Sequence, residues 1–179
     1  AKGEPARFTT RSGELTASQA GEAIQLDFPA EPAEACPVDG LAGALGSEII
    51  WCGKNRMDFM VQLPSAEAVR RCAPDFPRLA KLETRGVIVT AGADDDRTDF
   101  ISRFFCPAHG IDEDPVTGSA HCCLAPFWAE RLGRDTLVGF QASKRGGFVR
   151  CTLAGDRVLL GGRAVTIFSG MMSATPPRA

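Results

Sequence analysis

The 179-residue sequence lacks a long apolar run, an excess of one charge and an abundance of histidine. Its longest apolar stretches, such as residues 157–161, fall far short of the roughly 20 residues that span a bilayer. The net charge of −2 gives no strong field for nucleic acid. The start of the chain shows no secretory signal pattern. We therefore expect a soluble cytoplasmic protein that binds neither membrane nor nucleic acid.

The scarcity of histidine also argues against a metal site. A site would have to combine His109 and His121 with Cys106 and Cys122, a set without the paired short spacings of structural zinc. The seven cysteines are odd in number and irregularly spaced, and most lie in apolar surroundings. This usage is typical of reduced core thiols rather than of a disulfide framework. We therefore expect no metal site.

The sequence does contain many short apolar runs divided by glycine and proline turns. We predict a hairpin at 6–17 and strands at Ala23–Pro29, 58–63, 86–91, 99–105, 136–143, 148–153, 157–160 and 164–168. Predicted helices cover 38–45, 65–72, 75–83 and Gly118–Leu132. Ser65 is the expected N-cap of the helix at 65–72, and Asp75 that of the helix at 75–83. The last helix is expected to end at Gly133 and to bend at Pro126. Many short strands around one well-defined helix predict an α+β domain whose sheet curls around that helix. The helix should present Leu124, Phe127, Trp128 and Leu132 to the core.

The best candidate for chemistry is the loop 106–117, which carries acids, a glycine and a hydroxyl immediately before the last helix. The free amides of Gly118, Ser119 and Ala120 would form an anion site, because the first turn of a helix lacks acceptors for its amides. The hydroxyl of Ser119 can add a hydrogen bond. A substrate carboxylate would fit there.

Asp114 lies before Pro115, which favours extended backbone and can aim the carboxylate at the same place. An acid beside bound amides suggests proton transfer next to a carboxylate. Alternatively, Thr117 or Asp114 merely caps the helix, as such residues commonly do. Spacing alone leaves both interpretations open.

Four motifs occur in the order seen in PhzF-like proteins, the phenazine-biosynthesis type of isomerase. They are Ser-Arg-Phe-Phe at 102–105, a stretch at 110–121 with the core Glu-Asp-Pro-Val-Thr-Gly-Ser, Gln-Ala-Ser-Lys-Arg-Gly-Gly at 141–147, and Gly-Gly-Arg-Ala at 161–164. The sequence thus resembles the C-terminal portion of that family. The resemblance implies an α+β fold similar to diaminopimelate epimerase, in which two pseudo-symmetric halves each wrap a β-barrel-like sheet around a central helix. The active site would lie in the cleft between the halves.

The resemblance also implies an activity. In the phenazine enzyme a glutamate moves a proton within a dihydro-hydroxyanthranilate substrate, without cofactor or metal. The family's aspartate and serine match Asp114 and Ser119, which would be catalytic, while Thr117, Gly118, Ser119 and Ala120 would bind substrate. Members are commonly homodimers. We expect an isomerase that acts on a small carboxylated metabolite.

The sequence departs from the family pattern in one respect. The glutamate base and a Gly-His-Pro motif belong to the N-terminal half, so residues 1–20 would be a hairpin remnant of that half. Residues 21–175 would form the C-terminal domain and 176–179 a tail. We do not assign the roles of the missing glutamate and histidine to Glu113 or His121. Glu113 is expected to stabilise the loop, and His121 is expected to be packed or exposed rather than catalytic.

Two other functions remain open from the sequence. One is a cofactor-independent epimerase or racemase; the adjacent Cys122 and Cys123 would point about 100° apart on a helix and are expected to serve packing rather than paired thiol chemistry. The other is a non-catalytic ligand-binding domain, if the chain is complete.

Overall fold

The computed structural model describes residues 3–10 and 13–170. Twelve strands of these residues form one mixed sheet. The strands are β1 (Ala6–Thr10), β2 (Gly13–Ala20), β3 (Ala23–Pro29), β4 (Glu34–Ala35), β5 (Trp51–Lys54), β6 (Asp58–Gln62), β7 (Gly86–Gly92), β8 (Phe100–Cys106), β9 (Ile111–Glu113), β10 (Thr136–Gln141), β11 (Gly147–Ala154) and β12 (Arg157–Arg163). The α-helices are α1 (Leu41–Leu45), α2 (Ala66–Arg71), α3 (Phe76–Leu79) and α4 (Gly118–Leu132).

The order of the strands across the sheet is β1-β2-β3-β12-β11-β10-β8-β7-β6-β5-β4, with β9 paired to β8. Pairing is antiparallel except for β6 with β7 and β8 with β10. Parallel neighbours need a crossover connection, and here helices α2 and α3 supply the first and helix α4 the second. The loop that leads into α4 therefore lies where β8 ends.

Helix α4 is buried on nearly every side, with nine buried residues between Ala120 and Ala129. It contacts β10, β11 and β12, and it ends at Gly133, whose φ of 65° places it in the left-handed region that glycine favours. The predicted bounds of this helix and its place in the core are confirmed. One detail is wrong: Leu132 is 40% exposed, and residues 130–132 of the last turn are all exposed.

The sheet carries a core on each face. The strand β7 alternates between the two cores: Ile88 packs with α4, whereas Val87 and Val89 pack with the core that contains α1, α2 and α3. Burial of both faces explains why this strand reads as a continuous apolar run.

The predicted N-terminal hairpin is confirmed in its strands, since β1 pairs antiparallel with β2 from Ala6↔Ala17 to Thr10↔Gly13. Strand β2 continues the sheet by pairing with β3. The turn residues of the hairpin, Arg11 and Ser12, lie outside the described residues, as does the predicted tail at 176–179.

Several predicted elements differ from the structure. The predicted strand at 164–168 is wrong: this segment has no regular structure, and Val165, Ile167 and Phe168 are 81%, 91% and 85% exposed. A short apolar run makes a strand only where a neighbour pairs with it, and among the described residues none does. Two predicted helices are shorter than expected: α1 begins at Leu41 and α3 ends at Leu79. The short strands β4, β5 and β9 were not predicted.

Candidate active site

The acid loop, residues 106–117, is more ordered than its composition suggests. It contains a 3-10 turn at Pro107–His109 and the strand β9, which returns along β8 with Glu113 opposite Phe105. The main-chain amide of Asp114 then donates to the carbonyl of Phe104 at 3.0 Å. The acidic run is thus held against the sheet.

Glu113 fastens the loop. Its carboxylate accepts from Nε and Nη2 of Arg103 at 2.7 and 3.0 Å, and Nη1 of Arg103 donates to the carbonyl of Cys72 at 2.6 Å. Both charged side chains are largely buried. The geometry is that of the loop-stabilising acid predicted from the sequence.

Gln141, which is fully buried, clamps the end of the loop. Its Oε1 accepts from the amide of Thr117 at 2.8 Å, while its Nε2 donates to the carbonyl of Asp114 at 2.7 Å and to the hydroxyl of Thr117 at 3.2 Å. Ser143 adds a bond of 2.7 Å from its hydroxyl to the carbonyl of Pro115. The motif at 141–147 therefore fixes the acid loop, a role that its sequence did not reveal.

The two glycines that close this motif are needed for different reasons. Gly146 has a φ of 71° and donates its amide to Ser143 Oγ at 3.0 Å. A Cβ at Gly147 would lie 2.5 Å from Cγ2 of Val116, so this position leaves room only for glycine. Together they allow the turn before β11 to pack directly on the acid loop.

The start of α4 has no side-chain cap. Thr117 is the N-cap residue, but its hydroxyl donates to Oδ2 of Asp114 and accepts no helix amide. Among the described residues, the amides of Gly118, Ser119 and Ala120 have no acceptor. The simple capping alternative is therefore wrong for Thr117, and the amides predicted to bind an anion lie unpaired.

Sequence reasoning missed Arg85, which lies just before β7. Its Nη2 donates to Oγ of Ser119 at 2.9 Å, and its Nε donates to Oδ1 of Asp58 at 2.8 Å. Asp58 is fully buried, whereas the side chain of Arg85 is 32% exposed. The hydrogen bond with Asp58 raises the pKa of Arg85. No sequence motif contains both residues of this contact, because 34 positions separate Arg85 from Ser119.

Asp114 also lies at the start of α4, where its carboxylate accepts from the hydroxyl of Thr117, the N-cap residue. Ser119, the second residue of the helix, bonds to Arg85 at the same end. Burial raises the pKa of the Cys106 thiol. The structure thus gathers the two predicted catalytic residues, Asp114 and Ser119, around one end of α4 with Arg85.

Two spaces adjoin this end of the helix. A small cavity of about 160 Å³ is lined by Ser119, Arg85, Met57 and Phe28, among others. A groove of about 800 Å³ also reaches this end, with Gly118, Val116 and Phe148 in its walls. A Cβ at Gly118 would lie 3.6 Å from both Phe28 and Leu160, so packing does not require a glycine there.

The neighbouring residues of α4 serve packing. Burial lowers the pKa of His121 to about 4, and its Nδ1 lies 2.8 Å from the carbonyl of Thr117. Burial also raises the pKa of Cys122 and of Cys123 to about 12. At neutral pH the imidazole is uncharged and both thiols are protonated.

Within residues 3–10 and 13–170, three or more potential metal ligands do not come together at any point. The helices of the same residues are all too short or too polar to cross a membrane.

Comparison with known proteins gives a consistent result. Residues 2–170 match the family model described as phenazine biosynthesis-like protein. An uncharacterized isomerase of Halalkalibacterium halodurans is 46% identical over 92% of this chain and 63% of its own length. A crystal structure of a PhzF-family phenazine biosynthesis protein from Enterococcus faecalis matches with a TM-score of 0.83 at 41% identity, over 90% of this chain and 62% of that one.

A predicted epimerase from Pseudomonas aeruginosa shares the fold, with a TM-score of 0.59 at 19% identity over 92% of this chain and 68% of that one. The predicted α+β fold of the diaminopimelate epimerase type is thereby confirmed. The chain spans a little under two thirds, 63% and 64%, of the length of two curated relatives that it matches.

Proposed function

This chain belongs to the phenazine biosynthesis-like protein family, and from that premise we propose that it supplies one wall of the active site of an isomerase. The reaction is proton transfer on a small carboxylated metabolite, without cofactor or metal. The relatives named uncharacterized isomerases support the reaction class. The geometry at the start of α4 supports the kind of substrate.

The observation that carries the proposal is the contact between Arg85 and Ser119 beside unpaired helix amides. A carboxylate at this place would accept from the amides of Gly118 and Ser119, from the Ser119 hydroxyl and from the guanidinium. Such charge-assisted bonds are roughly twice as strong as neutral ones. The buried Asp58 orients Arg85 through its own hydrogen bond.

Asp114 would handle the proton. Two anions in one pocket repel each other, so Asp114 is useful beside a bound carboxylate only when it is protonated or accepts from a donor of the substrate. The hydroxyl of Thr117 already donates to one of its oxygens. Among the described residues no hydrogen bond engages its other oxygen, to which we therefore assign the proton transfer.

The body of the metabolite would lie in the groove walled by Val116 and Phe148, whose volume of about 800 Å³ is in the range of small-molecule sites. The second wall and the glutamate base that the resemblance implies would come from the part of the relatives that this chain does not span. The homodimer implied by the resemblance is part of the same proposal, and sedimentation velocity would measure it.

A racemase of the paired-thiol type is disfavoured by a specific observation. Cys122 and Cys123 are buried, with pKa values of about 12. Neither would supply a thiolate base at neutral pH.

The proposal is tested with a chimera in which this chain replaces the matching residues of the Halalkalibacterium relative. We would measure incorporation of solvent deuterium at carbon in small carboxylated metabolites. We expect Asp114→Ala and Ser119→Ala to lower the rate by about 10²–10⁴, the usual contribution of such groups, without loss of folded protein.

Ser65→Ala is the matched control, because Ser65 truly caps a helix by accepting from the amide of Ala68 at 3.1 Å. It should cost about 1 kcal/mol of stability and leave the exchange rate unchanged. Should the Asp114 and Ser119 variants behave like Ser65→Ala, the acid loop is structural and the proposal is wrong.

A further inference from the structure

Two of the seven cysteines differ from the rest in exposure. Cys36 and Cys52 are partly exposed, whereas the other five are buried, and all seven are free thiols. Both partly exposed cysteines pack against the core that contains α1, α2 and α3. They are the thiols that a reagent in solution would reach first.

The backbone places these two cysteines opposite each other. Strand β4 pairs antiparallel with β5 through Ala35↔Gly53, and the amide of Cys36 donates to the carbonyl of Cys52 at 3.2 Å. Directly opposite residues of an antiparallel pair project to the same face, with Cα atoms about 5.5 Å apart when hydrogen bonded. Disulfides need Cα atoms about 4.4–6.8 Å apart, so the pair is within bonding reach.

A surface pocket of about 390 Å³ leads to this pair. Cys36 lies in its wall together with Pro32, Lys54 and Arg56. The pocket, whose charged lining also includes Glu34, gives a small reagent in solution access to Cys36.

From this geometry we propose that Cys36 and Cys52 are a reversible modification site, at which a low-molecular-weight disulfide such as glutathione disulfide oxidises the two thiols to one intramolecular disulfide. The inference concerns the edge of the sheet at β4 and β5, and it does not depend on the proposed isomerase activity.

The reaction proceeds by two exchanges. The Cys36 thiolate attacks glutathione disulfide, giving a mixed disulfide and releasing one glutathione thiolate. The Cys52 thiolate then attacks the Cys36 sulfur, forming the intramolecular bond and releasing the second glutathione. Two protein thiols lose two electrons and two protons, and one glutathione disulfide becomes two glutathione molecules.

The order of attack follows from the surroundings of Cys52. Three causes together raise the pKa of its thiol to about 11: burial is the largest, followed by the charge and the hydrogen bond of Cys36. The last two causes disappear once the Cys36 sulfur is capped, so Cys52 becomes a better nucleophile at the second step. Cβ atoms across a strand pair are usually slightly farther apart than in a relaxed disulfide, which makes the bond easy to reduce.

The test is oxidation of the reduced 179-residue chain with glutathione disulfide. Free thiols are then alkylated, and mass spectrometry of proteolytic peptides locates the linked pair. We expect a single disulfide between Cys36 and Cys52, five alkylated cysteines, and full reversal by dithiothreitol. No protein disulfide, or one that involves any of the buried cysteines, would overturn the proposal.

Single variants test the order of the steps. In Cys52→Ser the resolving thiol is absent, so Cys36 should retain one glutathione. In Cys36→Ser we expect glutathione to add to Cys52 at least about tenfold more slowly than to Cys36 in Cys52→Ser, because Cys36 lines the surface pocket and Cys52 does not, and burial raises the pKa of Cys52. Equal rates in the two variants would contradict the assignment of Cys36 as the first nucleophile, and folding of each variant is checked by circular dichroism.

Discussion

Single residues around the start of α4 divide into those that hold the site and those that face a ligand. Gln141 has both ends of its amide committed to the acid loop, so its contribution is to position Asp114 and Thr117. Ser119 and Arg85 bond to each other and also line a cavity. Donors that line open space remain available to a ligand.

Gly118→Ala separates packing from binding. An alanine Cβ would meet Leu160 and Phe28 at 3.6 Å, an ordinary contact, and alanine is favoured over glycine in a helix by about 0.5–1 kcal/mol. We expect urea unfolding to show equal or higher stability. Affinity for a small carboxylate should fall, since the methyl group restricts approach to the amides; unchanged affinity would show that the ligand binds elsewhere.

His121 should make the stability depend on pH. Its pKa falls from 6.5 to about 4 in the folded protein because the side chain is fully buried. Below pH 6.5 His121 binds a proton in the unfolded chain but not in the folded chain. The free energy of unfolding therefore falls as pH falls from about 6.5 towards 4. The largest loss is about 3 kcal/mol, from the size of that shift.

Urea unfolding at pH 7 and pH 4.5 measures this loss. His121→Asn should lose less stability between the two pH values than the unsubstituted protein does. His109→Asn, at the exposed second histidine, is the matched control substitution. If all three proteins lose the same stability, His121 is not the group responsible.

At the scale of elements, α4 was predictable because local sequence marks it: apolar residues recur at helical intervals and Gly133 ends the helix, which forms despite Pro126 in its interior. The segment at 164–168 shows the opposite case. Its apolar residues follow a glycine turn signal as those of the other strands do, yet strand formation depends on a neighbour in space, which local sequence does not report. The strand β9 was missed because it pairs with β8 inside a stretch that reads as loop.

The acid loop should depend on its ion pair for order. Glu113→Gln removes the charge that faces Arg103 in a largely buried pair, and we expect a loss of about 2 kcal/mol on urea unfolding, somewhat below the cost of breaking a fully buried pair. Glu14→Gln is the control, since its partner Arg7 is exposed and such pairs contribute at most about 1 kcal/mol. Equal effects of both changes would mean that the loop is held by its backbone contacts alone.

For the whole molecule, the sheet joins residues far apart in sequence. Strand β12 pairs with β3 along seven residues, and Arg157 bonds to Asp27 across 130 residues at 2.7 Å. The sequence predicted β3 and β12 as strands. It did not predict that they pair with each other, because pairing across such a distance has no local signature. The resemblance to PhzF-like proteins was what indicated the fold. For the site, the motif located Asp114 and Ser119, whereas Arg85 and Gln141 needed the folded chain.

The most direct test of the central claim, that the start of α4 binds a carboxylate, is an NMR titration of the ¹⁵N-labelled chain with benzoate. Benzamide, which has a similar shape without the charge, is the control ligand. We expect benzoate to shift the amides of Gly118, Ser119 and Ala120 and the Nε of Arg85, and benzamide to shift them little. Ser119→Ala should weaken benzoate binding about tenfold, the value of one hydrogen bond to a charged group. Shifts that scatter over the surface, or equal binding by the unsubstituted chain and Ser119→Ala, would contradict the account.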